Sequence, residues 1–565
     1  MTSLAPFLVF YLGALGVALT HGLARQALML VIPLAGALNL YGLSDGVMWQ
    51  TDLLDYQLTV VRVDQLSLIF GYLFHLATFI GIIFSLHVRD SVQHVSGLLY
   101  AGSALGAVFA GDLLTLFIFW ELLAITSVFL VLARRTERAY ASAMRYLIFQ
   151  VGSGVILLTG VIMYANETGG IAFNYIGLGG LSSWLIFLAF GIKCGFPLLH
   201  TWLTDAYPEA SETGTVFLSA FTTKVAVYAL ARAFPGTELL VYIGATMTMF
   251  PIFYAVIEND LRRVLAYSLI NQIGFMVTGI GLGTALALNG AISHAFNDVI
   301  FKGLLFMSMG AVLYRTGKIN GSELGGLYKS MPWTAGFCMV GAASISAFPL
   351  FSGFVSKSMV MVAALEEGHP VVWLALLFAS AGVFHHAGIK IPYFAFYAHD
   401  SGLRPKEAPM NMLIAMGLAA AICVFNGTYP WLLYSMLPWP VDYAPYTIDH
   451  VLTQCQLLFF SALAFYALNI WGLYPPELRS VNIDSDWSYR KGLPALARWA
   501  MTFGGAARRG VLVRLQRRLE RFLKEIYRHH GPQGVLARTW PTGSMAFWTT
   551  VLLGVYLIAY LFVTG

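Results

Sequence analysis

Two stretches decide how this chain reads: GIKCGFPLLHTWLTDAYPEA at residues 191–210 and AASISAFPLFSGFVSKSMV at residues 342–360. Each is an apolar run that holds a lysine beside a proline: Lys193 with Pro197, and Lys357 with Pro349. Proline removes a helix donor and clashes with the preceding turn, so the backbone there must open. Open backbone at membrane depth is tolerated only where it is buried in protein or lines a watery cavity. Discontinuous helices in corresponding halves of a chain point to inverted repeats and a transport site. A plain proline kink is the alternative at either place, but a lysine beside both breaks weighs against it.

Outward from these breaks, three more lysines lie in hydrophobic stretches: Lys224, Lys302 and Lys390. Glu121 sits in another, FIFWELLAITS at 117–127. A charge at mid-bilayer costs about 2.5–3.5 kcal/mol on insertion scales, so such residues usually line an ion or proton path. Lysine also gives up its proton readily when buried. The pattern therefore points to a membrane protein that moves protons.

Composition agrees. Mean hydropathy is +0.72, and only 11% of the 565 residues are charged against 58% hydrophobic, which excludes an ordinary soluble domain. The net charge of +5 does not indicate nucleic acid, because the basic residues sit mostly in short loops and one segment near the C-terminus. Cys194, Cys338, Cys423 and Cys455 fall in apolar segments without CxxC or Cys/His spacing, so no disulfide framework, metal site or cofactor is indicated. The N-terminus lacks a positive region before its apolar run and reads as a retained span.

Hydropathy gives about sixteen spans. They centre near residues 12, 35, 76, 102, 122, 153, 191, 224, 247, 273 and 301, on a broken one at 333–365, then at 384, 419, 463 and 554. From an outside N-terminus, the inside loops hold Arg25, Arg89, Arg134, Arg135, Arg138, Arg145, Arg262, Arg263, Arg315, Lys318, Lys329, Arg404 and Lys406. The outside loops hold little beyond Arg62 and Arg232. Segment 474–544, with thirteen further basic residues, also falls inside. The positive-inside rule thus places both termini outside and the basic segment in the cytoplasm. Within that segment, Leu512, Leu515, Leu519, Phe522 and Ile526 recur at helical spacing opposite arginines. This predicts an amphipathic basic helix over 494–530, lying on the inner membrane surface or along a neighbouring subunit. A last span, about 545–563, follows it.

The proton-carrying candidates follow from the same spans. Glu121 with Lys193 makes a plausible bistable pair, in which moving the carboxylate away would make the lysine release its proton. In SHAFNDVIFKGLLF (293–306), His294, Asp298 and Lys302 lie at steps of four on one helix face and could hold a short hydrogen-bonded water chain. The alternative is a local Asp298–Lys302 ion pair. Lys357, after the second break, ends the path. Lys390, in HHAGIKIPYFAF, is close enough to the inner interface to snorkel. It is an accessory candidate, and His385 and His386 are left out of the path. Asp205, after the first break, is either a proton-uptake carboxylate or a helix cap. Asp260, Arg262 and Arg263 read as a plain cytoplasmic loop.

FWELL (119–123), GIKCGFPLLHTWLTDAYPEA, TGTVFLSAFTTKVAVYALAR (213–232), DLRRVLAYSLINQIGF (260–275), HAFNDVIFKGLLF (294–306) and FPLFSGFVSK (348–357) resemble the antiporter-like subunits of respiratory complex I. The same fold occurs in Mrp-type multisubunit cation/proton antiporters and membrane-bound hydrogenases. The match covers roughly 60–430. The 213–232 wording and NIDSDWSYR (482–490) look closest to the D-type subunit of the Mrp antiporters. The resemblance implies an all-α polytopic membrane protein with two inverted five-helix repeats, each with one broken helix, plus the C-terminal amphipathic helix. The expected division is 1–90 for N-terminal transmembrane helices, 91–235 and 236–400 for the two repeats, and 401–475 for further transmembrane helices. The basic segment is then 476–544 and the last helix 545–565.

Residue by residue, the resemblance assigns Glu121 as the fifth-helix glutamate and Lys193 as the broken-helix lysine. Lys224 becomes the connecting lysine, Lys357 the terminal one, and His294 and Lys302 part of the central hydrophilic axis. Some relatives read His-x3-His-x3-Lys, whereas this chain has Asp298 second, which favours an acid–lysine element over a histidine relay. The function implied is proton translocation within a multisubunit Na⁺ or K⁺/proton antiporter of the cell's inner membrane, with other membrane subunits as partners. The rival is the same module in an NADH:quinone oxidoreductase or hydrogenase. The chain carries no nucleotide fingerprint and no Fe–S cysteine spacing, so any redox chemistry would belong to partners. A haem oxidase would need paired intramembrane histidines at ligand positions.

Overall fold

Each proline break is a break in the chain trace. The structure, a computed structural model, describes residues 4–53, 56–478, 482–530 and 542–564. It begins with α1 (Pro6–Leu19) and α2 (Gly22–Tyr41), then a hairpin of β1 (Gly46–Leu53) and β2 (Tyr56–Val63). There follow α3 (Gln65–Ser85), α4 (Ser91–Phe109), α5 (Leu113–Leu132) and α6 (Glu137–Thr168). Three interrupted stretches come next: α7 (Leu181–Cys194) with α8 (Thr201–Glu209), and α9 (Gly214–Ala220) with α10 (Thr222–Ala233); later, α14 (Pro332–Ile345) with α15 (Ser352–Glu366). Between them run α11 (Glu238–Ile257), α12 (Leu261–Leu282) and α13 (Ala285–Thr316). After them come α16 (Pro370–Val383), α17 (Met410–Thr428), the single turn α18 (Trp431–Tyr434) and α19 (Ile448–Ile470). These belong to one unit, Met1–Asp484; a second, Ser485–Gly565, contains α20 (Leu493–His530) and α21 (Thr542–Thr564).

Among the described residues, twelve helical stretches are long and apolar enough to cross a membrane, with α9–α10 counted as one; α1 and α7 are shorter apolar helices. The described residues are mostly helical, as expected of a polytopic all-α membrane protein, and the antiparallel β1–β2 hairpin is an addition to that plan. Hydropathy misses it because it sits between spans, and its second strand, YQLTVVRV, is rich in β-branched residues.

Helix starts follow from side-chain caps. Asp64 accepts from Ser67 N, Asp112 from Thr115 N, and Asp260 from Arg262 N and Arg263 N. Each satisfies donors that a first turn leaves open. Close helix contact follows from small residues: a Cβ on Gly244 would collide with the Thr278 backbone, and one on Gly274 with the Gly244 carbonyl. This locks α11 to α12 in the manner of small-residue seams in membranes.

The breaks are strained and internally satisfied. Among the described residues, non-glycine positive φ occurs at Arg135, Leu198, Ala347 and Leu350. The last three flank Pro197 and Pro349. The Ile192 carbonyl, at the end of α7, accepts from the Trp202 indole at 2.8 Å as well as from Gly195 N at 3.2 Å. The Ile345 carbonyl, freed where α14 stops, accepts from Lys357 Nζ at 3.0 Å. A third interruption, at Phe221, lacks a proline and is not foreshadowed by the sequence; there Thr222 N donates to Tyr100 Oη at 3.0 Å. Past Val383 the chain widens into π-helical turns at Phe384–Lys390 and Tyr393–Tyr397.

In the second unit, the amphipathic segment is one long helix, α20, and Leu512, Leu515, Leu519 and Phe522 on it are exposed. Residues 479–481 and 531–541 of the expected 476–544 segment lie outside the described residues.

Candidate functional site

Lys193, Lys224, His294, Asp298 and Lys302 are 0% exposed, and Lys357 is 1% exposed. Four of the five intramembrane lysines meet the same kind of partner. Lys193 Nζ donates to Trp120 O at 2.5 Å, and Lys224 Nζ to Ser219 O at 3.2 Å. Lys357 Nζ takes Ile345 O, and Lys390 Nζ takes Val256 O at 2.6 Å and Glu258 O at 2.7 Å. Ser219, Ile345 and Val256 lie at helix ends, where unpaired carbonyls carry the negative pole of the dipole and welcome a cation. Lys302 differs: its Nζ donates to the Ser268 hydroxyl at 2.8 Å.

The first cluster joins α5, α6 and α7. Lys193 Nζ lies 4.5 Å from the Trp120 ring centroid, a desolvated cation–π contact. Glu121 follows Trp120 but makes no ion pair with Lys193 within 4.0 Å among the described residues; its Oε1 is buried without a hydrogen-bond partner. Each of the two groups still feels the other's charge without touching it. The carboxylate rests on Gly154 of α6, where any Cβ would overlap it.

The second cluster sets aside the alternative of a local ion pair on α13. Asp298 does not pair with Lys302 four residues on. It pairs with Lys224 of α10 at 2.6 Å, joining the two halves of the chain at full burial. Helical spacing puts His294, Asp298 and Lys302 on one face, but the break at Phe221 brings Lys224 closer to the acid than its own neighbour. Between the clusters, Cys194 beside Lys193 lies within electrostatic reach of Lys224.

The third cluster holds polar groups that the sequence reading does not single out. His294 bridges helices, with Nε2 3.1 Å from Gln272 Oε1 on α12 and Nδ1 3.0 Å from Ser356 Oγ on α15. Gln272 donates to Asn271 Oδ1 at 2.7 Å, and Asn271 to Thr248 O at 2.5 Å. Lys357 Nζ sits 5.0 Å over Phe275, whose edge also faces His294. A signal is there to be found: SLINQ at 268–272 places a serine and two amides in an apolar span, where polar residues are costly and usually functional.

The remaining candidates lie aside. Asp205 on α8 accepts from Arg145 at 2.7 and 3.1 Å. Lys390 does not snorkel; it is fully buried and paired with Glu477 at 2.9 Å. Arg262 is no plain loop residue: it is fully buried and donates to carbonyls of the turn that joins α8 to α9.

The chain thus buries a run of lysines and one histidine beside broken helices, with Lys224 tied to a buried carboxylate and His294 to a buried amide. Residues 110–424 match the family described as NADH:quinone oxidoreductase/Mrp antiporter, TM. The chain belongs to that family of multi-pass membrane proteins. It is 28% identical to hydrogenase-4 component B of Escherichia coli over 54% of this chain and 52% of that protein. It is 30% identical to the D subunit of the Na(+)/H(+) antiporter of Alkalihalophilus pseudofirmus over 52% of this chain and 64% of that one. The chain thus spans about half to two thirds of the length of these relatives. Its fold matches a chain of the membrane-bound sulfane sulfur reductase, an archaeal respiratory membrane complex, with TM-score 0.71 at 21% identity, over 98% of this chain and 99% of that one.

Proposed function

We propose that this chain is the proton-translocating membrane subunit of a multisubunit Na⁺ or K⁺/proton antiporter, working among other membrane subunits. The Lys224–Asp298 ion pair carries the reading, because it joins the lysine of the first half to the hydrophilic axis of the second. Protons would hop through water from the Glu121/Lys193 cluster to Lys224–Asp298, then Lys302 and His294, and leave by Lys357. Glu121 would govern whether Lys193 keeps its proton. About sixteen spans, ten of them in two inverted five-helix repeats at 91–235 and 236–400, would frame this axis. The charge pattern supports termini outside and the 476–544 segment in the cytoplasm of the inner membrane. The likeness to the D subunit of a Na(+)/H(+) antiporter favours cation exchange. A second reading, a pump module of a redox complex, draws on the hydrogenase-4 relative and on a fold likeness that extends through the C-terminal helices.

The test is dye-monitored ΔpH in inverted vesicles from an antiporter-deficient host that expresses the whole operon. Added Na⁺ or K⁺ should collapse ΔpH after energisation, and Lys224→Ala should abolish the response. No cation response, with proton uptake driven by an electron donor, would assign the chain to the redox reading.

Gly154 offers a finer test. Gly154→Ala should push the Glu121 carboxylate off its seat and slow cation-driven ΔpH collapse several-fold, with the complex still assembled on native gels. Unchanged transport would remove Glu121 from the path.

A further inference from the structure

The proposed axis leaves a second cluster of buried ionisable groups unused. Beyond α16, His386 is fully buried and its Nε2 has no hydrogen-bond partner among the described residues. It lies within electrostatic reach of Lys302, His385 and Lys390, and its ring also meets the Gly382 backbone. His385 stacks on Tyr474 at 5.4 Å between ring centroids. The His385 Nε2 and Tyr474 hydroxyl are likewise buried without hydrogen-bond partners among the described residues. Tyr474 and Glu477 line a cavity of about 350 Å³, with Phe394, Asn469 and Ser322. Exposed Gly472 and Pro476 are also in its lining. Glu477 closes on Lys390 at 2.9 Å. Burial pushes the Glu477 carboxyl above the usual range, Lys390 draws it back down, and Glu258 raises it again. The π-helical turns at 384–397 supply the room, since such turns loosen packing and recur at functional sites. Buried polar groups left unsatisfied are costly and call for an explanation such as an ordered water or a functional role.

We propose that a second water-bearing branch runs from the cytoplasmic face to Lys302, gated by the Lys390–Glu477 ion pair and relayed by His386. The branch rests on the proposed axis, which it joins at Lys302. When the pair is closed, Lys390 is held by Glu477 and by the carbonyls of Val256 and Glu258. When Glu477 takes a proton, Lys390 loses its counter-charge and the passage to His386 opens.

Cysteine labelling of the assembled complex tests this without relying on transport. In a Cys455→Ser background, inverted vesicles present the cytoplasmic face to a membrane-impermeant methanethiosulfonate cation. Asn469→Cys should label readily. His386→Cys should label slowly, and several-fold faster when Glu477→Gln weakens the gate. If His386→Cys fails to assemble, His385→Cys serves as the second reporter with the same expected acceleration. A cysteine that stays unreactive in both backgrounds overturns the branch and makes Lys390–Glu477 a structural plug. Labelling is independent of pumping, so an unreactive cysteine in a complex with normal cation-driven ΔpH collapse sinks only the branch. Accelerated labelling in a complex with no proton movement supports the branch and sinks the proposed function.

Discussion

Asp298→Ala should abolish coupled proton movement and destabilise the protein by about 3–5 kcal/mol, the usual cost of breaking a buried ion pair by removing one partner. The cause is the isolation of Lys224. With Asp298 gone, its ammonium keeps only the Ser219 carbonyl at 3.2 Å and no counter-charge within 4.0 Å among the described residues. The proposed step from the first half of the chain to the second would then lose its partner. The double substitution Lys224→Met with Asp298→Leu separates the two effects. Buried pairs replaced by apolar groups of similar volume are often neutral or stabilising. The double variant should therefore melt near the parent in detergent yet stay inactive in the ΔpH assay. Full transport in Asp298→Ala would remove the pair from the path, and transport in the double variant would do so even more directly.

What the sequence reveals follows from which interactions are local. The breaks at Pro197 and Pro349 are legible because proline acts on its own turn, and the caps at Asp64, Asp112 and Asp260 are local too. The amphipathic α20 shows through its apolar spacing at Leu512, Leu515 and Leu519. The partner of Asp298 is not legible. Spacing offers Lys302 on the same helix, whereas the actual partner comes from another helix, 74 positions earlier in the sequence. The discontinuity at Phe221 has no proline or glycine to announce it; it is held by Tyr100, far away in sequence. Arg262 reads as loop charge because DLRR looks like any inside loop. Its burial depends on carbonyls of the turn before α9, which no local pattern reveals.

A lysine that caps a helix end serves structure, and in the proposed reading the same residue type also carries protons. An arginine would keep its proton at any ordinary pH, whereas a buried lysine can shed one. The carbonyls of Ser219 and Ile345 each accept a hydrogen bond from a buried lysine, and an oxygen of this kind accepts from an ammonium or an amine alike. Lys302 lacks such a carbonyl and has a hydroxyl instead. Among the described residues it is the one central lysine that donates to a hydroxyl, at the place where the two proposed routes would meet.

Arg262→Ala should be damaging although the residue lies outside the proposed axis, destabilising by about 1–3 kcal/mol, since the buried Ala210 carbonyl loses both of its guanidinium bonds. The guanidinium reaches Pro208 O, Ala210 O and Ser211 O, each at 3.1 Å, and Tyr207 O at 3.4 Å. It also donates to the Thr215 hydroxyl. Arg262 thereby ties the first turn of α12 to the connection between α8 and α9, and so sets how the second half seats on the broken helix of the first. In its absence Pro208 O keeps the Arg134 bond at 2.7 Å, and Tyr207 O and Ser211 O keep the Thr215 hydroxyl at 3.0 and 3.1 Å, so the loss falls on Ala210 O. Arg262→Lys should rescue only part of the loss, because an ammonium has three donors and no planar fork. The readouts are the yield of assembled complex and its melting temperature in detergent. A ranking of parent, then lysine, then alanine is expected in both. An alanine variant that assembles and melts like the parent would mean that the turn holds itself, and that Arg262 merely fills it.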